Sequence, residues 1–409
     1  MSLYSLPRGC LTFLLLTQLS LAQDVLVEAE GFEVRGGWLI DTQFIDLMGS
    51  PYLLAHGMGQ PVAAAGATVR FPEHGRYRVF VRTLDWVAKF GAEGSPGRFE
   101  VLVNGEPLSA TFGTVNSEWH WQPGGEVDID SDTASVKLHD LTGYEGRCDA
   151  ILFTKSTQPP PNDDEVLAPW RKALLGHSSE PVVEDGYDLV VVGGGFSGLG
   201  CAISAARMGC RVALIQNRPV LGGNASSEVR VWANGGTRLG KYPHIGDIVE
   251  EFTDHALMSP GPAEIYVDQR KVDVVTAEKG IDLFLEHHAY AVDAADGHIE
   301  AVRVIDVRTS EEKRFVAPYF ADCTGHGSIG ALAGADFDMT MKDHMGMTNH
   351  WRWTFTDSPK AFAPVPWALD LDEGEFPYPK TVAVKPGGKP DAMSNGWYWE
   401  TGFDKHPIT

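Results

Sequence analysis

Residues 193–198 read Gly193-Gly194-Gly195-Phe196-Ser197-Gly198, a G-x-G-x-x-G spacing. An apolar run suited to a buried parallel strand, Asp188-Leu189-Val190-Val191-Val192, leads directly into it. Leu199, Ala202, Ile203 and Ala206 then recur at helical spacing, Gly209 stands where a helix C-cap belongs, and Arg211 to Ile215 predicts a second strand. A strand, glycine turn, helix and strand in this order can hold a dinucleotide. Gly193 permits the tight turn, Gly195 lets the backbone approach a pyrophosphate, and Gly198 brings the helix close to the strand; the helix N-terminus offers free N–H groups to the phosphates. The competing reading is a glycine-rich structural turn, and the strand-to-helix setting favours the dinucleotide.

An acidic residue at the end of the second strand would take the adenosine ribose hydroxyls, but this chain has Gln216-Asn217 there. Their amides can hydrogen-bond a hydroxyl without charge assistance, which predicts a weaker contact. Arg218 is either a partner for a 2′-phosphate or a surface residue. A second glycine pair follows in Gly222-Gly223-Asn224, and Phe320-Ala321-Asp322-Cys323-Thr324-Gly325-His326-Gly327 leads from a predicted strand into a small-residue helix, Ile329 to Gly334.

At these residues the chain resembles the FAD-dependent oxidoreductase family of two-dinucleotide-fold flavoproteins, which includes relatives of the heterodisulfide reductase A flavoprotein subunit. The resemblance runs over roughly Tyr187 to Asp404. It implies FAD as cofactor, with Gly193, Gly194, Gly195, Ser197 and Gly198 at the pyrophosphate, and Gln216, Asn217 and Arg218 at the ribose end. Gly222, Gly223 and Asn224 would lie near the flavin side, and Thr324 with Gly325 would close over the cofactor. His326 stands where the family commonly has an acidic residue, and the iron–sulfur ligands of larger relatives have no cysteine counterparts here. Such flavoproteins complete the site with a late glycine-containing segment. None is recognisable before Thr409, so residues 187–409 are expected to form an incomplete domain that holds FAD weakly.

The elements that must carry this site divide the chain. From Val25 to about Thr154, short alternating strands separated by turns predict an all-β sandwich over 24–156. Residues 157–186, opening Pro159-Pro160-Pro161, have linker composition, with one short helix around Trp170 to Leu175. Glu250 to Ala317 predicts a strand-rich insert in the α/β domain, with a hairpin turn at Asp296-Gly297. His287, His288, His344 and His350 are candidates for acid–base work or for structural hydrogen bonds. Trp351 to Phe355 alternates as a strand with core-facing aromatics would. The fold class is therefore multidomain, an N-terminal sandwich followed by a Rossmann-like domain.

The first part also resembles the carbohydrate-binding-type domain of golvesins and xanthan lyases, at Val27-Glu28-Ala29-Glu30-Gly31-Phe32, Arg82 to Trp86 and Cys148 to Phe153. That resemblance implies a carbohydrate ligand. Trp86, Trp119 and Trp121 could stack on sugar rings or serve as core residues. A carbohydrate-binding or polysaccharide-processing protein with a structural Rossmann domain is thus the alternative function, although no lyase constellation of base and uronate clamp is visible.

Arg8 followed by an apolar stretch from Cys10 to Ala22, with Ser20-Leu21-Ala22 as a small-x-small site, predicts a secretory signal over 1–22 and a secreted or periplasmic protein. That stretch is shorter than the about 20 residues a membrane span needs. Cys148, Cys201, Cys210 and Cys323 carry no C-x-x-C or metal-ligand spacing, so no metal is expected. A formal charge of -22 without a basic run argues against nucleic acid and leaves a small molecule or carbohydrate as substrate.

Overall fold

Apolar residues at alternate positions, as in Phe99, Val101 and Val103, commit the first part of the chain to strands with one face on a core. The structure is a computed structural model that describes residues 24–340 apart from 93, 255 and 258–260, together with 358, 365 and 367. The strands are β1 (Val25–Glu28), β2 (Leu39–Asp41), β3 (Tyr52–His56), β4 (Ala65–Arg70), β5 (Gly75–Thr83), β6 (Phe99–Val103), β7 (Glu106–Pro107), β8 (His120–Ile129), β9 (Thr133–Asp140), β10 (Tyr144–Cys148) and β11 (Ala150–Thr154). They form three antiparallel sheets, ordered β1-β11-β5-β8, β10-β3-β2 and β4-β9-β6-β7. One apolar cluster joins the sheets, with Leu53, Val79, Val101, Leu138 and Phe153 all fully or nearly fully buried.

The stretch expected to be a linker carries structure of its own. A twelve-residue helix, α1 (Asp164–Leu175), is capped by the Asp163 carboxylate, which accepts the Glu165 amide. Leu167, Trp170 and Leu174 of α1 pack against Trp121, Ala150 and Leu152. Arg171 of the same helix enters a buried acidic cluster of Glu28, Glu30 and Asp149. The short helix expected around Trp170 to Leu175 begins earlier, at Asp164, and it is stabilised by packing its apolar face on the sheets. After it, β12 (Val182–Glu184) pairs in parallel with a strand far along the chain, Glu312–Val316.

The three tryptophans considered for sugar stacking are engaged within the fold. Trp121 donates to the Pro161 carbonyl at 2.9 Å and meets Trp170 edge-on. Trp86 donates to the Tyr144 carbonyl beneath the Arg147 guanidinium. Trp119 packs between Phe44 and Tyr52.

The α/β part is built on a four-stranded parallel sheet ordered β15-β14-β13-β19. Its members are β13 (Leu189–Val192), β14 (Val212–Ile215), β15 (Ile281–Phe284) and β19 (Tyr319–Asp322), with α2 (Phe196–Arg207) crossing over between β13 and β14. Residues 247–284 correct the expected strand-rich insert. They contain α3 (Asp247–Phe252) and α4 (Asp268–Ala277) before β15 rejoins the parallel sheet. The antiparallel portion is confined to β16 (His287–Ala295), β17 (His298–Asp306) and β18 (Glu312–Val316), with Asp296 and Gly297 at positive φ in the turn. A short helix, α5 (Ser328–Leu332), follows β19.

The strand-rich part and the α/β part meet through Ile45, Ile305 and Val307, all buried, and through hydrogen bonds from Ser310 to Glu30 and between His288 and Asp46. Both parts belong to one unit ending at Gly334; Ala335–Thr409 forms a second. The expectations placed on residues 1–22, His344, His350 and Trp351 to Phe355 lie outside the described residues. Among the described residues no helix is long and apolar enough to cross a membrane.

Candidate functional site

Three turns converge where β13, β14 and β19 end. The first follows β13. Gly193 has φ +107, and a Cβ there would lie 2.2 Å from the Cys323 carbonyl oxygen, so the chain itself requires glycine. A Cβ on Gly198 would lie 1.8 Å from the Gly193 carbonyl oxygen, which is the close helix-to-strand contact that brings α2 in. Gly195 differs from both. Its backbone is extended, with φ -71 and ψ -179, and an added Cβ would meet only Gly223 Cα at 4.0 Å. Among the described residues nothing demands a glycine at this position.

The second turn is docked on the first. Gly222 donates its amide to the Gly194 carbonyl at 2.8 Å, Gly195 and Gly222 form an isolated bridge, and a Cβ on Gly223 would come within 3.2 Å of Gly195 Cα. The third turn follows β19. Cys323 donates its amide to the Val192 carbonyl, and the Thr324 amide lies beside Gly193. Asp322 organises this turn by accepting the amides of Thr324 and Gly330 and the Thr324 hydroxyl. Partial burial opposes ionisation of Asp322, but those donors outweigh it and hold the carboxyl below its usual range.

Helix α2 starts at this convergence without a side-chain cap. Its first-turn N–H groups and the positive end of its dipole therefore face the side of Gly195 that no side chain covers. Ser197 is exposed on that first turn.

The ribose end differs from expectation. Gln216 is only 7% exposed, and both ends of its amide are engaged within the chain: Oε1 accepts the Gly194 amide at 2.8 Å and Nε2 donates to the Val220 carbonyl at 3.1 Å. Gln216 thus braces the glycine turn, while Asn217 beside it is exposed. Arg218 forms a two-pronged pair with Glu228, at 2.8 and 3.0 Å, which occupies the guanidinium that a 2′-phosphate would need. Asn224 is exposed and contributes its carbonyl to Val231, and Gly325 has φ +82 with no atom of the described residues within 4 Å of its Cβ position.

Of the two candidate histidines described, His287 bonds the Leu285 carbonyl and His288 the Asp46 carboxylate. A contact unforeseen from the sequence is the thiol pair Cys201 and Cys323. A hydrogen bond from Cys323 holds the Cys201 thiol down to about 7, and the same bond together with burial holds Cys323 well up.

Residues 188–372 match the family of FAD dependent oxidoreductases. This segment is an FAD-dependent oxidoreductase domain, and FAD is its cofactor. The chain also shares 33% identity over 82 residues with an aerobic glycerol-3-phosphate dehydrogenase of Staphylococcus aureus, covering 20% of this chain and 14% of that enzyme. The chain thus spans about a seventh of that relative's length. Among solved structures, it is similar to the L-proline dehydrogenase from P. horikoshii, at 20% identity, with 36% of this chain and 24% of that one covered and a TM-score of 0.23. It is also similar to a GH26-CBM35 beta-(1,4)-mannanase of Podospora anserina, at 16% identity over 47% of this chain and 50% of that one, with a TM-score of 0.27.

Proposed function

We propose that this chain is an exported FAD-dependent oxidoreductase that passes hydride between a small substrate and flavin, with residues 24–156 serving as a β-sandwich of carbohydrate-binding type. The observation that carries the cofactor assignment is Gly195. Among the described residues its Cβ position is left empty although neither φ nor packing requires it, directly before the uncapped N-terminus of α2. A glycine kept where neither φ nor packing asks for one reserves room for something outside the chain, and a pyrophosphate fits that room and that polarity.

The residues of the three turns divide the work. Gly193 and Gly198 set the turn and the helix approach, Gly194 links Gln216 to Gly222, and the N–H groups of Phe196, Ser197 and Gly198 are the donors for phosphate oxygens. Gly222, Gly223 and Asn224 wall the opposite side, and Thr324 with Gly325 borders Gly193. Asn217, being exposed at the end of β14, is better placed than Gln216 to meet ribose hydroxyls. Hydride transfer is the chemistry that FAD supplies when bound.

The test is the flavin content of the purified chain against its Gly195→Val variant. Valine adopts the extended backbone of Gly195 readily, so the variant should fold and lack flavin. Wild-type flavin content in the variant would remove the assignment. Export rests on residues 1–22 and predicts a mature N-terminus just after Ala22 in protein recovered outside the cytoplasm. Carbohydrate targeting rests on the motifs from Val27 to Phe32 and Cys148 to Phe153, and is read by retention of the full chain on insoluble polysaccharide.

A further inference from the structure

Lys271 is a cation with no exposed surface, on the helix α4 behind the second glycine turn. Its ammonium donates to Asp254 Oδ2 at 3.1 Å and to the Tyr266 carbonyl, and Asp268 Oδ1 lies 4.0 Å away. Burying such a pair is costly, and an apolar side chain of similar length often fills the space at no loss of stability. What the ammonium adds is therefore in its hydrogen bonds, and these lead to one place.

Tyr266, held through its carbonyl, donates its hydroxyl to the Arg230 carbonyl at the far end of the second turn. Asp268 accepts the Ser227 amide in the middle of that turn at 3.0 Å. At the near end, the lysine stem lies directly against Gly222. A Cβ on Gly222 would sit 2.7 Å from Lys271 Cε and 2.9 Å from Cδ. Gly222 in turn bonds Gly194. One buried side chain thus touches the turn at its start, reaches its middle through the charge of Asp268 at 4.0 Å, and reaches its end through the hydrogen bond to the Tyr266 carbonyl.

We propose that Lys271 is a positioning residue for the cofactor: its ammonium and stem hold the Gly222–Arg230 turn against Gly194 and Gly195 and so set the cleft that faces the pyrophosphate. This rests on the FAD reading above, and Lys271 itself touches no reacting atom.

The experiment uses the full chain as wild type, Lys271→Met, and the double variant Lys271→Met with Asp254→Asn. Each is measured for FAD affinity by flavin fluorescence titration, for urea stability, and for amide hydrogen exchange over 222–231 without FAD. Lys271→Met should bind FAD about tenfold or more weakly and exchange faster over 222–231. The double variant removes the unpaired carboxylate left by the single change, so its stability should recover while its FAD affinity stays low.

Wild-type FAD affinity in Lys271→Met, or recovery of affinity together with stability in the double variant, would overturn the proposal, since the lysine would then merely neutralise Asp254. Should wild-type protein bind no FAD, the cofactor reading fails by itself, and unchanged exchange over 222–231 in the double variant still overturns the positioning role.

Discussion

The Arg171 guanidinium meets the Asp149 carboxylate through two parallel hydrogen bonds, both 3.0 Å, with neither group open to solvent. Arg171 also bonds Glu28, Asp149 accepts Arg82 at 2.8 Å, and Ser310 donates to Glu30. Burial, followed by the charges of Glu28 and Asp149, pushes the Glu30 carboxyl well up from its ordinary value. The Glu28 and Asp149 carboxylates are thus met by the guanidinium groups of Arg171 and Arg82. Through these pairs α1 is fastened to the strands that precede it.

Arg171→Ala leaves buried carboxylates without their partner and should cost about 3–5 kcal/mol. Urea unfolding followed by tryptophan fluorescence measures this, and a loss under about 1 kcal/mol would contradict the pairing. For the same reason residues 24–176 made as a fragment should unfold cooperatively and at higher urea than residues 24–156, which lack α1.

Glu30→Gln removes a carboxyl whose charged form is disfavoured by burial. Because the folded-state pKa is raised, the wild-type contribution is full below the ordinary carboxylate pKa of about 4.5 and is lost as pH rises toward the folded value. The stability of Glu30→Gln relative to wild type should therefore grow as pH rises above about 4.5. A difference independent of pH would place the proton elsewhere.

Gly198→Ala should behave unlike Gly195→Val. Its Cβ would fall 1.8 Å from the Gly193 carbonyl oxygen, so α2 cannot approach β13 and the flavoprotein domain should lose several kcal/mol of stability even without FAD. Thermal unfolding of the two FAD-free variants separates them: Gly195→Val should stay near wild type.

Cys201 should react with iodoacetamide with an apparent pKa near 7, and Cys323→Ala should move that midpoint upward toward an ordinary thiol by removing the hydrogen bond. Peptide mapping of the alkylated chain against pH reads both values. Equal reactivity of Cys201 in the two proteins would contradict the thiol contact.

The sequence by itself carried the β13, glycine turn, α2 and β14 succession, because each signal there is local: a run of valines, a glycine needed at φ +107, and apolar residues at helical spacing. The hairpin at Asp296-Gly297 was legible for the same reason. Tyr52–His56 was not, since four of its five residues are buried and the period of two is lost, and neither was His120–Ile129, whose Pro123, Gly124 and Gly125 read as a turn. The destination of a side chain was also beyond local pattern. The position of Gln216 was readable, but its amide turns to Gly194 and Val220; Arg171 lay on the short helix expected around Trp170, but its partners Glu28 and Asp149 were not foreseen; Lys271 had no signal at all. Each of these depends on partners brought together by chain closure, and the free energy of a buried polar group is set by those partners rather than by its neighbours in sequence.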